Sequence, residues 1–163
     1  MVEDHRIKYS AVVSWTGGAL GSTVSYETYS RDHSAFVPGK PVLELSVAPC
    51  FYGDHSKLET EELLLFAISG CHMMTYLAIA SRSGLEVLDY VDNPSATLQL
   101  EANGGRVISA ILRPHVRISA SGSLELAETL HQTAAKDCFV GSSMNFPITI
   151  DAHQSHGTGP EAT

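Results

Sequence analysis

Apolar and polar residues alternate along the first third of the chain. Ile7 to Trp15 is an apolar-rich alternating run closed by the turn Thr16-Gly17-Gly18. Ser22 to Ser30 alternates through Thr, Val and Tyr, and Val42 to Val47 alternates again beyond the turn Pro38-Gly39-Lys40-Pro41. A period of two puts successive side chains on opposite faces of a pleated strand, so these three runs predict half-buried strands. After a loop, Ala48 to Glu59, that holds Pro49, Gly53 and Asp54, the pattern changes. Thr60 stands where a helix cap belongs, Glu61 and Glu62 suit the positive end of a helix dipole, and Gly84 suits a helix stop. The helix this predicts runs to about Arg82 and is apolar on nearly every face, which marks it as central rather than superficial.

Beyond it, Glu86 to Glu101 reads as a strand with a break near Asn93-Pro94. Asn103-Gly104-Gly105 is a hairpin-type turn and Arg106 to Ala120 the partner strand. Ser123 caps a second helix with Glu125 and Glu128 early, Lys136 late, and an apolar stripe of Leu124, Ala127, Leu130 and Ala134 or Ala135. Cys138 to Met144 is a short loop, and Phe146 to Ile150 a last strand. His153 to Thr163 lacks a periodic apolar pattern and is expected to be a flexible tail, which leaves residues 1–152 as a single domain. Three strands, a buried helix, two strands, a helix and a strand predict an α+β fold, with mostly antiparallel sheets around a buried central helix. One sheet covers only one side of such a helix. A second copy of the chain would cover the other, so an intertwined homodimer is expected.

Composition narrows the function. The chain has 163 residues, 44% hydrophobic and 17% charged, enough for a true core. Its formal net charge of -8, without a Lys/Arg run, argues against nucleic acid as a partner. The apolar stretch Leu63 to Ala80 is interrupted by Ser69, Gly70, His72, Thr75 and Tyr76, so it reads as a core helix and not a membrane span. Met1 to Tyr9 is charged and lacks a signal-peptide core. A cytoplasmic location with no membrane partner is the expectation.

Three cysteines, Cys50, Cys71 and Cys138, are too few and odd in number for a secreted disulfide framework. Cys71 and Cys138 are each equally readable as small packing residues or as reactive thiols. As a pair they could cycle between dithiol and disulfide, the chemistry of a thiol peroxidase: one thiolate attacks a peroxide and the second condenses with the resulting sulfenic acid. Cys71, His72, His131 and Cys138 would also supply soft ligands to a metal. They lack zinc-site spacing, however, and neighbours on a helix point about 100° apart. No metal and no organic cofactor is expected. The same angle removes His72 as a base for Cys71 in acyl transfer, leaving His131 for that role, with no nucleophile-elbow motif nearby.

Two segments carry a family resemblance. Glu61-Glu62-Leu63-Leu64-Leu65 followed by Ser69-Gly70-Cys71-His72-Met73, and Cys138-Phe139-Val140-Gly141-Ser142-Ser143-Met144-Asn145-Phe146-Pro147, resemble the two cysteine motifs of the OsmC/Ohr family. This is the family of osmotically inducible protein C and organic hydroperoxide resistance protein. Trp15-Thr16-Gly17, Tyr29-Ser30-Arg31-Asp32-His33 and Phe51-Tyr52-Gly53-Asp54 are similar to its OsmC-like branch, so the resemblance extends over about residues 8–151. It implies chains intertwined around paired central helices and a peroxidase acting on organic hydroperoxides or hydrogen peroxide. In that scheme Cys71 is the peroxidatic thiol and Cys138 the resolving thiol, and an external dithiol, lipoyl or thioredoxin-like, restores both. It also implies that Glu61 pairs with an arginine at the reactive thiolate. The arginine that follows a Gly-Gly turn in the Ohr branch is replaced here by Ala19, after Gly17-Gly18, and Arg31 is the residue expected to serve instead. Thr60 and Glu59 stand where the family has proline and asparagine. Glu61 lies ten residues before Cys71, about 15 Å of rise on a straight helix, so the two could meet only across a helix break or from a second subunit. A ligand-binding protein on the same fold and a cysteine-dependent acyl-transfer enzyme are the alternatives.

Overall fold

The computed structural model describes residues 6–157. They fall into two compact units that divide between Leu63 and Leu64.

The first unit carries a four-stranded sheet in the order β1 (Val12–Trp15), β2 (His33–Phe36), β3 (Leu43–Ser46), β4 (Leu58–Glu59). The run Ser22 to Ser30, expected as a strand, is instead a series of bends and turns. Arg31 is the reason. Its guanidinium donates to the carbonyls of Tyr26 and Tyr29, while Thr28 N–H closes onto Ser25 O, so these backbone groups are spent locally and no ladder can form. The alternating residues that do pair are the next ones, His33–Phe36, with Val12↔Phe36 and Trp15↔His33 in register.

Helix α1 runs unbroken from Thr60 to Arg82. Its start lies one residue earlier than the Thr60 cap expected: the Glu62 carboxylate reaches back to accept from Glu59 N–H at 2.9 Å, which makes Glu59 the capping position and Glu62 its partner three residues on. Its end is the one predicted. Gly84 takes φ +71°, and Leu85 N–H returns to Ala80 O at 2.9 Å, satisfying a terminal carbonyl. Within its unit α1 buries a single stripe, Ile68, His72, Tyr76 and Ala80, spaced four apart. The expectation of burial on every face is not met by one chain: Phe66 and Met74 are 56% and 60% exposed. By length and composition α1 would be long enough to cross a membrane. Tyr76 and Ala80 of its buried stripe pack instead in the core of the second unit.

That unit contains β5 (Val87–Asp92), β6 (Ser95–Glu101), β7 (Gly104–Leu112), β8 (Pro114–Ser119), α2 (Leu124–Asp137), β9 (Ile148–Ile150) and β10 (His153–Gly157). The break at Asn93-Pro94 separates β5 from β6 as expected. The segment Arg106 to Ala120 is two strands, not one. It divides at Arg113, whose N–H donates to the Asp92 carboxylate at 2.6 Å, and the two parts join different sheets, β6-β7-β9 and β10-β8-β5. Among the described residues all three sheets contain a parallel pairing, β3 with β4, β7 with β9 and β8 with β10, so they are mixed where mostly antiparallel sheets were expected. Part of the expected tail is strand: His153–Gly157 pairs with His115–Ser119, while residues 158–163 lie outside the described region. The pairs of β7 with β9 and of β8 with β10 share one constant sequence offset, so they form a single parallel ribbon that passes from one sheet into the other.

Helix α2 is capped as predicted, Ser123 Oγ accepting from Leu126 N–H at 3.1 Å. Its buried face keeps Ala127, Leu130 and Ala134 of the stripe read from the sequence and adds His131, while Leu124 is exposed. Tyr76, Ala80, Leu85, Val116, Ile118, Ala127, Leu130 and Ala134 form the core between α1, α2 and β8.

Candidate active site

Cys71 and Cys138 come from different helices of the second unit. Cys71 sits mid-way along α1, half-buried; Cys138 is the residue that ends α2 and is 2% exposed. Their thiols lie close enough for each to bias the other's proton affinity. What aims them is the turn that follows α2. Ser142 N–H returns to Cys138 O at 2.9 Å, and the hydroxyls of Ser142 and Ser143 both donate to Phe139 O, at 3.0 and 2.8 Å. A turn tied this way points its free backbone donors inward: Val140 N–H to Cys71 Sγ at 3.5 Å and Gly141 N–H to Cys138 Sγ at 3.3 Å. Gly141 suits this close approach, because a Cβ there would stand 3.3 Å from the Cys138 sulfur.

The electrostatics separate the two thiols. Partial burial pushes Cys71 up, but the polar groups around it, the Val140 N–H above all and then the Cys138 thiol, the Phe139 N–H and the Thr75 hydroxyl, outweigh it and hold Cys71 below the ordinary thiol value. Cys138 moves the other way, raised by burial and by donating to Cys71. A thiolate is therefore stabilised at Cys71 and a neutral thiol at Cys138. The groups that lower Cys71 are hydrogen-bond donors, and no cation is among them.

The two sulfurs look onto different spaces. Cys71 lines an open groove of about 680 Å³ with Met74, Ala78, Arg82, Lys136 and Phe139. Cys138 lines an inner cavity of about 210 Å³ with Ile68, His72, Leu112 and Ile148. As the helical angle requires, Cys71 and His72 face different spaces, and His72 is bonded to His131 instead (Nε2 to Nδ1, 3.0 Å).

The other two residues singled out in the sequence belong to the first unit. Glu61 is exposed and accepts from the Thr60 hydroxyl at 3.1 Å. Arg31, 8% exposed, is packed against three tyrosines, its guanidinium carbon 3.6 Å from the ring centre of Tyr29, 4.7 Å from that of Tyr26 and 5.5 Å from that of Tyr52. Its donors are committed to the Tyr26 and Tyr29 carbonyls. Sequence reasoning missed the backbone donors of residues 139–141. The serines and the glycine after Cys138 were the available signal, since they favour a tight turn.

A family model described as OsmC-like protein matches residues 53–153. Among solved structures, the chain is similar to an OsmC-like protein of unknown function from Vibrio cholerae, at 26% identity, TM-score 0.81, covering 91% of this chain and all of that one. An organic hydroperoxide resistance protein OsmC from Legionella pneumophila aligns at 15% identity and TM-score 0.67, over 92% of this chain and 99% of the other. The organic hydroperoxide resistance protein OhrB of Bacillus subtilis aligns at 14% identity and TM-score 0.59, over 90% and 98%. No curated protein matches the chain.

Proposed function

This chain belongs to the OsmC-like family, and on that premise we propose that it is a thiol-dependent peroxidase that reduces organic hydroperoxides through Cys71 and Cys138. The observation that carries the reading is that adjacent amides of one turn, Val140 N–H and Gly141 N–H, reach the two sulfurs, whose proton affinities are displaced in opposite directions. The Cys71 thiolate attacks the peroxide O–O bond; one oxygen stays on sulfur as sulfenic acid, and the other leaves with the alkyl group and a proton as the alcohol. Cys138 then displaces the hydroxyl, forming a disulfide and water. An external dithiol, lipoyl or thioredoxin-like, returns both sulfurs to the reduced state. Backbone amides take the part that a guanidinium plays in the related scheme, which accounts for a chain in which Ala19 follows Gly17-Gly18. Met74, Ala78, Ile79 and Phe139 in the groove at Cys71 offer an alkyl hydroperoxide apolar contacts beside the charged Arg82, Lys136 and Asp137.

The active form in this reading is a cytoplasmic homodimer. A second copy would cover the exposed apolar positions of α1, Phe66 and Met74, and would bring its own Glu61 to the site, because α1 has no break that could fold Glu61 back on Cys71. Arg31 in this scheme is a structural cation of the first unit.

Intact mass after one equivalent of cumene hydroperoxide tests the proposal. The wild type is expected to lose two hydrogens, Cys138→Ser to gain oxygen without losing them, and Cys71→Ser to remain unchanged. Oxidation that proceeds equally well in Cys71→Ser would refute it.

A further inference from the structure

The peroxidase chemistry leaves one buried cluster of titratable groups unused. His72 and His131 are 1% and 4% exposed. Their rings lie nearly parallel, 10° apart with centres at 5.4 Å, and are joined by the 3.0 Å bond between Nε2 of His72 and Nδ1 of His131. Tyr76 stacks on His131 at 4.1 Å, and Tyr90 lies 6.4 Å from it. Each histidine borders a different space. His72 lines the inner cavity with Cys138, and His131 lines a second cavity of about 300 Å³ with Glu128 and Gln132. The pair therefore spans the wall between the resolving thiol and the far side of α2. For packing alone it is an expensive choice, since two imidazoles are desolvated and His131 Nε2 is buried without a protein partner.

We propose that His72 and His131 are a proton relay for the resolving step, a role that rests on the thiol-peroxidase reading. In that step the Cys138 S–H bond must break as the new S–S bond forms, while the S–O bond of the Cys71 sulfenic acid breaks and its electron pair leaves with oxygen as hydroxide. His72 takes the Cys138 proton through the inner cavity and passes its other proton from Nε2 to His131 Nδ1. His131 in turn gives up its Nε2 proton, which has no protein acceptor, to water entering the second cavity that it lines, and the hydroxide takes one from solvent in the groove at Cys71. The sum is thiol plus sulfenic acid giving disulfide plus water. A neutral imidazole suits this work, because it offers one lone pair and one N–H and can accept at one nitrogen while donating from the other. Burial keeps both rings neutral near pH 7, aided at His131 by His72 and opposed at His72 by Asp92. The other titratable groups facing the pair are Tyr76 of α1, Tyr90 of β5, Glu128 of α2 and Cys138 itself. Tyr76 and Tyr90 are held protonated by burial, so they do not compete for the proton. His131 acts through His72 and is a positioning residue.

Rapid-quench mass spectrometry of the reduced protein mixed with cumene hydroperoxide separates a peroxide-dependent phase, oxidation of Cys71, from a concentration-independent one, disulfide formation. In His131→Gln and His72→Ala the first phase is expected to stay within about twofold and the second to slow by at least about tenfold, the low end for removal of a general base. Added imidazole should restore the second phase in His72→Ala, and D₂O should slow only the second phase in the wild type, a reading that needs no variant to fold. A second phase indifferent to D₂O and to both variants would overturn the relay while leaving the peroxidase reading intact. Both phases falling together with the melting temperature would assign the pair to structure and also overturn it. Absence of the first phase in the wild type would overturn the peroxidase reading itself, and the relay with it.

Discussion

Acidifying the protein from about pH 7 to about pH 4.5 protonates His131 in the unfolded chain well before it does so in the folded one. Burial, with the adjacent His72 adding to it, lowers His131 from 6.5 to about 4. A group whose charged form is disfavoured on folding contributes full stability above its unfolded value and loses it as the pH falls toward its folded value. The window is therefore between about 6.5 and 4, and stability falls with pH throughout it. The gap corresponds to roughly 3 kcal/mol, of which about three-quarters is spent by about pH 4.5. His72 is lowered too and moves stability in the same direction. The low-lying carboxyls of Asp32 and Asp54 act in a separate range, below their ordinary value near 3.8. Urea unfolding of the reduced wild type and of His131→Phe, at one fixed protein concentration across this window, isolates the effect. Phenylalanine keeps a ring against Tyr76 but cannot take a proton. The wild type is expected to lose about 2 kcal/mol more than the variant between the ends of the window, with an unchanged urea slope. Equal losses in the two proteins would refute the reasoning.

Replacing Cys138 by alanine removes one donor to Cys71, so the midpoint of Cys71 alkylation by iodoacetamide should move to higher pH; an unmoved midpoint would remove Cys138 from the activation scheme. Tyr76→Phe breaks the 3.0 Å bond from Tyr76 Oη to Ala127 O inside the core and should cost about 1 kcal/mol by chemical denaturation. In the first unit, a Cβ at Gly17 would stand 2.6 Å from both Ser30 O and Trp15 Nε1, which are hydrogen-bonded at 2.7 Å. Gly17→Ala should cost about 1–3 kcal/mol and shift the emission of Trp15, the sole tryptophan. Arg31→Ala removes the cation from the Tyr29 face together with two carbonyl bonds and should lower the melting temperature by several degrees, whereas Arg31→Lys should recover only part, since an ammonium cannot reproduce the planar fork.

What could be read from the sequence was what neighbouring residues decide among themselves. Ser123 caps α2, Gly84 stops α1 and Pro94 divides β5 from β6 because each effect is settled within a turn of chain. The errors lie where distant residues decide. Alternation over Ser22 to Ser30 is real, yet one arginine captures its carbonyls. The buried face of α2 takes in His131 beside the expected Ala127, Leu130 and Ala134, and its bond to His72 of α1 is one that no local period reveals. Polar as it is, His153–Gly157 becomes a strand because β8 offers an open edge in parallel register. The site followed the same division. Cysteine motifs named the two sulfurs, but the groups that bias their proton affinities include the main-chain amides of residues 139–141, and main-chain direction carries no residue-type label.

The parallel ribbon of β7–β8 with β9–β10 sets how the second unit comes apart. With a single offset shared across two sheets, no strand in the ribbon can slip alone. A shift of one residue would turn the inward side chains of both sheets outward together, Leu112 and Val116 among them. Amide exchange in β7 and β8 is therefore expected to occur through one shared opening event, with protection lost in both sheets at the same denaturant concentration. The last strands act as a lock on two sheets at once, and releasing either one of them loosens both.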